Sequence, residues 1–230
     1  MRWHWIIKVS LAFALLCAFL VVLPVSCHWA QSKLQELSQA PRSVVATNNE
    51  TQAIVMAVFT EIKNSGLPPP PPAPGEEPQS RSEQMLPLLL TELTRCISRE
   101  PGCDSVFLDA QIESELDTFV PRKFRAELVA ANTEVQILEL KDIPGTRFVK
   151  YEEIKAAFAE DGWWDGFYQR YPDSSGYVRI TRPVLTDDRK QALIYTSLFC
   201  GRLCGSGRLI RVELTASGWH VVDQRLLWAS

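Results

Sequence analysis

The sequence predicts an α+β fold, with a C-terminal antiparallel four-stranded β-meander packed against helices from earlier in the chain. Three observations carry that expectation. Four β-rich runs, "YVRITRPVL", "KQALIYTSLF", "RLIRVELT" and "WHVVDQRLLW", crowd the last part of the chain. They are separated by "TDDR", "CGRLCGSG" and "ASG", all turn chemistry, so consecutive runs pair as hairpins. The helical patterns all lie upstream, where they are placed to cover the apolar face of the sheet.

The chain opens with a segment of its own kind. Residues 1–30 contain no Asp or Glu, and Arg2 and Lys8 precede an uncharged run from Val9 to Val25. That run gives roughly 25 Å of helix, at the short limit of a membrane span and longer than most cleaved signal cores. Residues 1–30 therefore read as a signal anchor or signal peptide, and the positive end stays inside, which sends the remainder out of the cytoplasm. Three fates follow: retention as an inner-membrane anchor, lipidation at Cys27, or simple cleavage. Pro24 stands three before Cys27, where a lipobox has an aliphatic residue, and Val25-Ser26-Cys27 is a poor cleavage site.

Residues 31–49 are polar and weakly patterned, as in a juxtamembrane tether. A single extracytoplasmic α+β domain is expected over 50–230. Within it, "TQAIVMAVFTEIK" sets Ile54, Val55, Val58, Phe59 and Ile62 on one helical face. The proline-rich loop at 67–80 follows, since consecutive prolines lack amide donors and favour extended polyproline II. The Leu88–Leu90 run suits a buried strand. Residues 109–131 pattern as helix with a fresh start near Pro121, and Asn132 suits its end. "EVQILEL" suggests a short strand, and "RFVKYEEIKAAFAEDG" a short helix closed by Gly162. In the meander, Val178 and Ile180 alternate with Arg179 and Thr181, the pattern of a sheet packed on one face.

Composition narrows the functional classes. The chain has 230 residues, 46% apolar and 22% charged, with seven Trp and ten Phe, which is ample for a packed core. It carries 24 basic and 27 acidic side chains with no basic stripe, so a nucleic-acid partner is not expected.

The Cys-x-x-x-Cys of Cys200 and Cys204 admits three chemistries. A thiol oxidoreductase uses Cys-x-x-Cys at a helix N-terminus, and these residues lie between strands. Structural zinc needs four ligands, and nearby only His220 is available, so no metal is expected. A disulfide closing a hairpin in an oxidising compartment fits best, and Cys96 with Cys103 across a Pro-Gly turn makes a second. No cofactor is implied. No catalytic residue is assigned either: His220 reads as a surface histidine on a strand, and "GSG" at 205–207 lacks a nucleophile elbow.

One segment, "DGWWDGFYQRYP", offers aromatic faces. Trp163, Trp164 and Tyr168, with Arg182, are candidate ligand-binding residues for a glycan or peptide, although the same helical spacing suits core packing.

From Trp163 to Ser230 the chain resembles the C-terminal half of a group of uncharacterised exported bacterial proteins. The resemblance rests on Phe167, Tyr171-Pro172, Ser174, Gly176, Arg182, Ala192-Leu193, Tyr195, Cys200-Gly201, Leu203-Cys204-Gly205, Gly207, Gly218-Trp219 and Trp228. Where that pattern has Gly-Phe after the Arg, this chain has Pro183-Val184-Leu185, which predicts a kink or bulge. The resemblance implies a shared fold and export, and no activity. The leading expectation is thus a non-enzymatic interaction or scaffold module of the bacterial cell envelope. Its partners would be the membrane, through the N-terminal segment, and another envelope protein or a glycan. A glycan- or peptide-binding domain is the first alternative, and an exported enzyme or thiol oxidoreductase using Cys200 and Cys204 the second.

Overall fold

The alternation at Tyr177–Ile180 does not mark a sheet with one wet face. Arg179 is 3% exposed and Thr181 is fully buried, as are their neighbours Val178 and Ile180. In the computed structural model, which describes residues 43–64, 87–99, 101, 103–105, 112, 115–159 and 163–230, helices lie on both sides of the sheet. The N-terminal segment with Cys17 and Cys27, most of the expected tether, the proline-rich loop and Gly162 lie outside the described residues.

Eight strands and four helices follow one another in chain order among the described residues. β1 (Ser43–Val45) and α1 (Asn48–Asn64) come first, then β2 (Leu88–Thr91). A 3-10 turn (Leu116–Thr118), α2 (Arg122–Ala131), β3 (Thr146–Val149), α3 (Tyr151–Ala159) and α4 (Trp164–Arg170) succeed them. The chain ends with β4 (Tyr177–Ile180), β5 (Val184–Thr186), β6 (Gln191–Gly201), β7 (Cys204–Thr215) and β8 (Gly218–Ala229). The expected meander is present, and its first run is split into β4 and β5. Both lie along one side of β6, β4 against Thr196–Phe199 and β5 against Ala192–Leu193, all antiparallel. β7 and β8 continue antiparallel on the other side. Beyond β4 the sheet turns mixed, with β2 parallel to β4 and β3 parallel to β2, while β1 adds antiparallel to β5.

The split has a cause in the chain. Pro183 has no N–H for the ladder, and its carbonyl turns to accept from Ala46 N at 3.2 Å. A break in a sheet covered on both faces strands polar backbone away from water. Asn132, 1% exposed at the end of α2, fills it. Its Oδ1 accepts from Arg182 N at 2.7 Å, and its Nδ2 donates to Arg182 O at 2.9 Å and to Leu128 O at 2.8 Å. Its carbonyl takes Ile97 N at 2.6 Å. One amide thus stands in for a missing strand.

α1 packs on one face: Ile54, Val55, Val58 and Phe59 are buried among Leu88, Leu90, Ile180, Ile194 and Ile210. Burying side chains of this size contributes about 1.5–3 kcal/mol each. The helix starts on a capping box at Thr47-Asn48-Asn49-Glu50. Thr47 N donates to Glu50 Oε2 at 2.9 Å, and Glu50 N to Thr47 Oγ1 at 3.4 Å. On the opposite face α2 and the 3-10 turn bury Leu116, Phe119, Phe124 and Leu128 against Val184, Leu193 and Leu209. Beside them α3 and α4 bury Ile154, Ala157, Trp164 and Phe167 against Leu89.

Several expectations need correction. Residues 43–49, read as tether, supply β1 and the first residues of α1. Residues 134–140 form no strand. One bridge joins Ile137 to Leu93, after which the adjacent backbone is spent elsewhere, Arg95 N on Ile180 O and Ile97 N on Asn132 O. Residues 147–149, read as the start of a helix, fall in β3 (Thr146–Val149), because pairing with β2 outweighs local helical spacing. The apolar Leu88–Leu90 run is a strand, as expected.

Two outcomes follow. Asn132→Ala leaves both backbone groups of Arg182 buried without partners, at about 1–3 kcal/mol each, so urea unfolding is expected to show a loss of about 3 kcal/mol. The carboxyl of Glu50 is held down to about 2 from 4.5, chiefly by its hydrogen bonds from Arg189, with Thr47 adding to this and burial opposing it. A depressed acid contributes stability above its unfolded value that is lost as pH falls through the folded value. Unfolding measured from about pH 5 down to about pH 2 should show that loss in the wild type and a flatter profile in Glu50→Gln.

Candidate functional site

Sheet geometry gathers polar groups along one line. β6 turns Tyr195, Ser197 and Phe199 to the face that carries α2, α3 and α4, and β4 turns Tyr177 and Arg179 the same way. Register then makes rows: Tyr177 opposite Phe199 and Arg179 opposite Ser197. Ser197 stands opposite Gly207, which stands opposite Trp228. The α2 group fills one end of this face and the α3 and α4 group the other, leaving the Arg179–Ser197–Gly207–Trp228 row as a polar seam between two apolar clusters.

The loop from Thr94 to Ser105 borders that seam. The Cys96–Cys103 disulfide closes it with Cα atoms 4.9 Å apart, and Asp104 N donates to Cys96 O at 2.9 Å. This delivers the Asp104 carboxylate to the Tyr195 hydroxyl, which donates to it. Trp228 Nε1 donates to the same hydroxyl at 2.7 Å, and Arg95 Nη2 lies 3.6 Å from Asp104. Burial, then the neighbouring Asp104 charge, pushes the Tyr195 hydroxyl well above the ordinary tyrosine range, so it keeps its proton and donates. Gly207 makes the arrangement fit: a Cβ there would sit 1.9 Å from Trp228 Nε1 and 2.5 Å from Tyr195 Oη. Gly176 serves the neighbouring crossing, at φ 118° with a would-be Cβ 2.2 Å from Phe199 O.

Cys200 and Cys204 are also joined, Cα atoms 5.0 Å apart, across a hairpin whose turn is Arg202-Leu203. Cys200 is fully buried near the end of β6, and among the described residues no helix N-terminus is placed at it to activate a thiolate. The chain-entropy model gives such short loops about 2 kcal/mol of stabilisation each.

The four candidate ligand-binding residues do not converge on a surface. Trp164 is 7% exposed and packs edge-on to Phe158 and Phe167, with centroids 5.0 and 5.1 Å away. Tyr168 donates its hydroxyl to Cys200 O at 2.7 Å, and burial raises it to about 12. Arg182 bonds Gln136 Oε1 at 3.1 Å. Trp163 alone of the four stands in solvent, 56% exposed with a left-handed φ of 71°. His220 Nε2 is 2.9 Å from Ser217 Oγ in an exposed turn, and Glu213, opposite it in register, takes Gln191 Nε2 at 3.2 Å. That pairing gives His220 no orienting carboxylate. Among the described residues no three metal-binding side chains stand together, and no helix is long and apolar enough to cross a membrane.

A second feature was not anticipated from sequence. Between α1 and β8 runs a groove of about 450 Å³, lined by Ala53, Met56, Ala57, Thr60, Trp219 and Val221 among others. Met56 is 40% exposed there. Among the described residues β8 pairs with β7 alone, so its other edge has no strand partner there, and Trp219 and Val221 of this strand help to line the groove.

The signals for the seam were present but ambiguous: Arg179 broke an apolar strand, and Asp104 followed a cysteine. Compared with family models, with curated proteins and with solved structures, the chain finds no match in any of the three.

The hydrogen-bonded seam gives a measurable coupling. Tyr195→Phe and Trp228→Phe, singly and together, should unfold with a coupling energy of about 1–2 kcal/mol, because one removes the shared hydroxyl and the other a donor to it.

Proposed function

We propose that this protein is a non-enzymatic binding module of the bacterial cell envelope, held at the inner membrane or exported as a lipoprotein, that docks an extended segment of another envelope protein. The observation that carries the reading is the groove between α1 and β8, a strand whose outer edge has no strand partner among the described residues. Strand addition needs both: unpaired backbone groups to hydrogen-bond the incoming chain, and a pocket for its alternate side chains. Met56, Trp219 and Val221 give the pocket an apolar lining that suits aliphatic or aromatic side chains. Two disulfides support export, since such staples persist in oxidising compartments.

The glycan reading loses its footing where the aromatic residues are used up in packing. Trp164 and Tyr168 support the core, and Trp163 by itself offers no facing ring. The thiol oxidoreductase reading has no activated thiol to work with.

Selection of peptides from a random display library against the purified full chain tests the proposal. Selected peptides should bind β8 in extended form, seen as chemical-shift changes along Gly218–Val222. Met56→Arg, at a half-exposed helix position, should weaken them at least about tenfold, roughly 1.4 kcal/mol, with thermal unfolding unchanged. Binding indifferent to Met56→Arg, or a selection that yields no binder, would discard the groove as the docking surface.

A further inference from the structure

The ladder between β7 and β8 holds two places where β8 has a residue too many. Arg211 stands opposite Asp223 and Val212 opposite Val221, so Val222 has no counterpart. Arg208 stands opposite Leu226 and Gly207 opposite Trp228, which leaves Leu227 without one as well. Both are β-bulges, which bend the strand, raise its twist and interrupt the ladder. The first is visible in the side chains. Val221 packs on the α1 side, yet Arg225, an even number of residues further on, lies 5.6 Å from the Phe119 ring on the α2 side. Unbroken alternation would put both on one face.

The two extra residues differ in what they do for the core. Leu227 packs against the α2 cluster. Val222 is 43% exposed and lies outside the apolar clusters of the described residues. Taking Val222 out of the chain would leave Val221 opposite Val212 and Asp223 opposite Arg211, each side chain on the face it already occupies. Neither packing nor register therefore calls for it.

Its place on the strand does. Among the described residues the other edge of β8 has no strand partner, and a long regular edge is a template for any further strand, including that of a second copy. The Val222 bulge ends the regular stretch beside the groove at Val221. Residues 218–221 span about 13 Å at roughly 3.3 Å each. The facing wall on α1, from Ala53 to Asn64, is about 17 Å long. Both walls thus suit the same short length of extended chain.

We propose that the Val222 bulge guards the β8 edge. It limits strand addition to an extended segment of about four or five residues with apolar side chains at alternate positions, and it denies the edge to β8 of a second copy of this chain. Beyond the bulge the outward N–H and C=O groups fall out of step with a straight incoming strand, so its hydrogen bonds stop there. The length limit rests on the docking reading of the groove, whereas the block on self-pairing stands without it.

Deletion of Val222 from the full chain, held in mild detergent, tests the guard. The deletion variant should keep the wild-type circular dichroism and, by sedimentation equilibrium, self-associate at least about tenfold more tightly than the wild type. Amides of residues 218–226 should gain hydrogen-exchange protection as it does so. On the wild type, chemical-shift changes caused by the selected peptides should stop at the bulge and leave residues 224–226 unmoved, while in the deletion variant they should run through Leu226. Equal self-association of the two proteins would overturn the guard, as would peptide shifts that cross Val222 in the wild type. A deletion variant that does not fold would also overturn it, because Val222 would then serve the fold itself; the peptide footprint on the wild type is read without that variant. If no peptide binds the wild type, the docking reading fails alone, and the comparison of self-association still decides the guard.

Discussion

The architecture depends on how a broken strand is mended inside a sheet that water does not reach. Pro183 cannot donate to the ladder, yet β4 and β5 must both lie against β6. The Asn132 side chain resolves this because a primary amide carries the same donor and acceptor pair as a peptide, and it meets both groups of Arg182 within 2.9 Å. Once the break is tolerated, each half of the strand can take its own neighbour. β4 continues into parallel β2 and β3, and β5 into antiparallel β1. The end of α2 is fixed by the same residue, so the helix layer and the sheet are located by one side chain.

The covalent staples act locally and in the same spirit. Cys200–Cys204 closes the hairpin that aligns β6 with β7, and Cys96–Cys103 closes the loop that presents Asp104 to Tyr195. Between them lies a polar seam whose members are mutually dependent: the absence of a side chain at Gly207 admits Trp228, and Trp228 and Asp104 share one hydroxyl. Such networks confer a unique arrangement when every group is satisfied. Among the described residues, Arg179 Nε and Ser197 Oγ are the groups of this seam left without a hydrogen-bond partner.

The aromatic segment shows how composition misleads about function. Rings at helical spacing are equally consistent with a binding platform and with a core, and only the position of α4 against Leu89 and Tyr177 decides for the core. The groove arose from residues that carry no pattern of their own. Small side chains at Ala53 and Ala57 leave room that Trp219 and Val221, on a distant strand, help to line.

Local chemistry determined a good deal of this protein from sequence alone. The meander, the helix over 51–63, the stapled hairpin and the effect of Pro183 all follow from periodicity, turn residues and cysteine spacing, because these act over a few neighbouring residues. The capping box at Thr47–Glu50 is equally local, a Thr and a Glu three residues apart ahead of an apolar helical run. Tertiary structure decided the rest. Whether residues 147–149 were helix or strand depended on an edge of β2 seeking a partner, and whether Arg179 faced water depended on helices from two other parts of the chain. Those outcomes are set by contacts between residues far apart in sequence, and no local pattern records which distant partner will arrive.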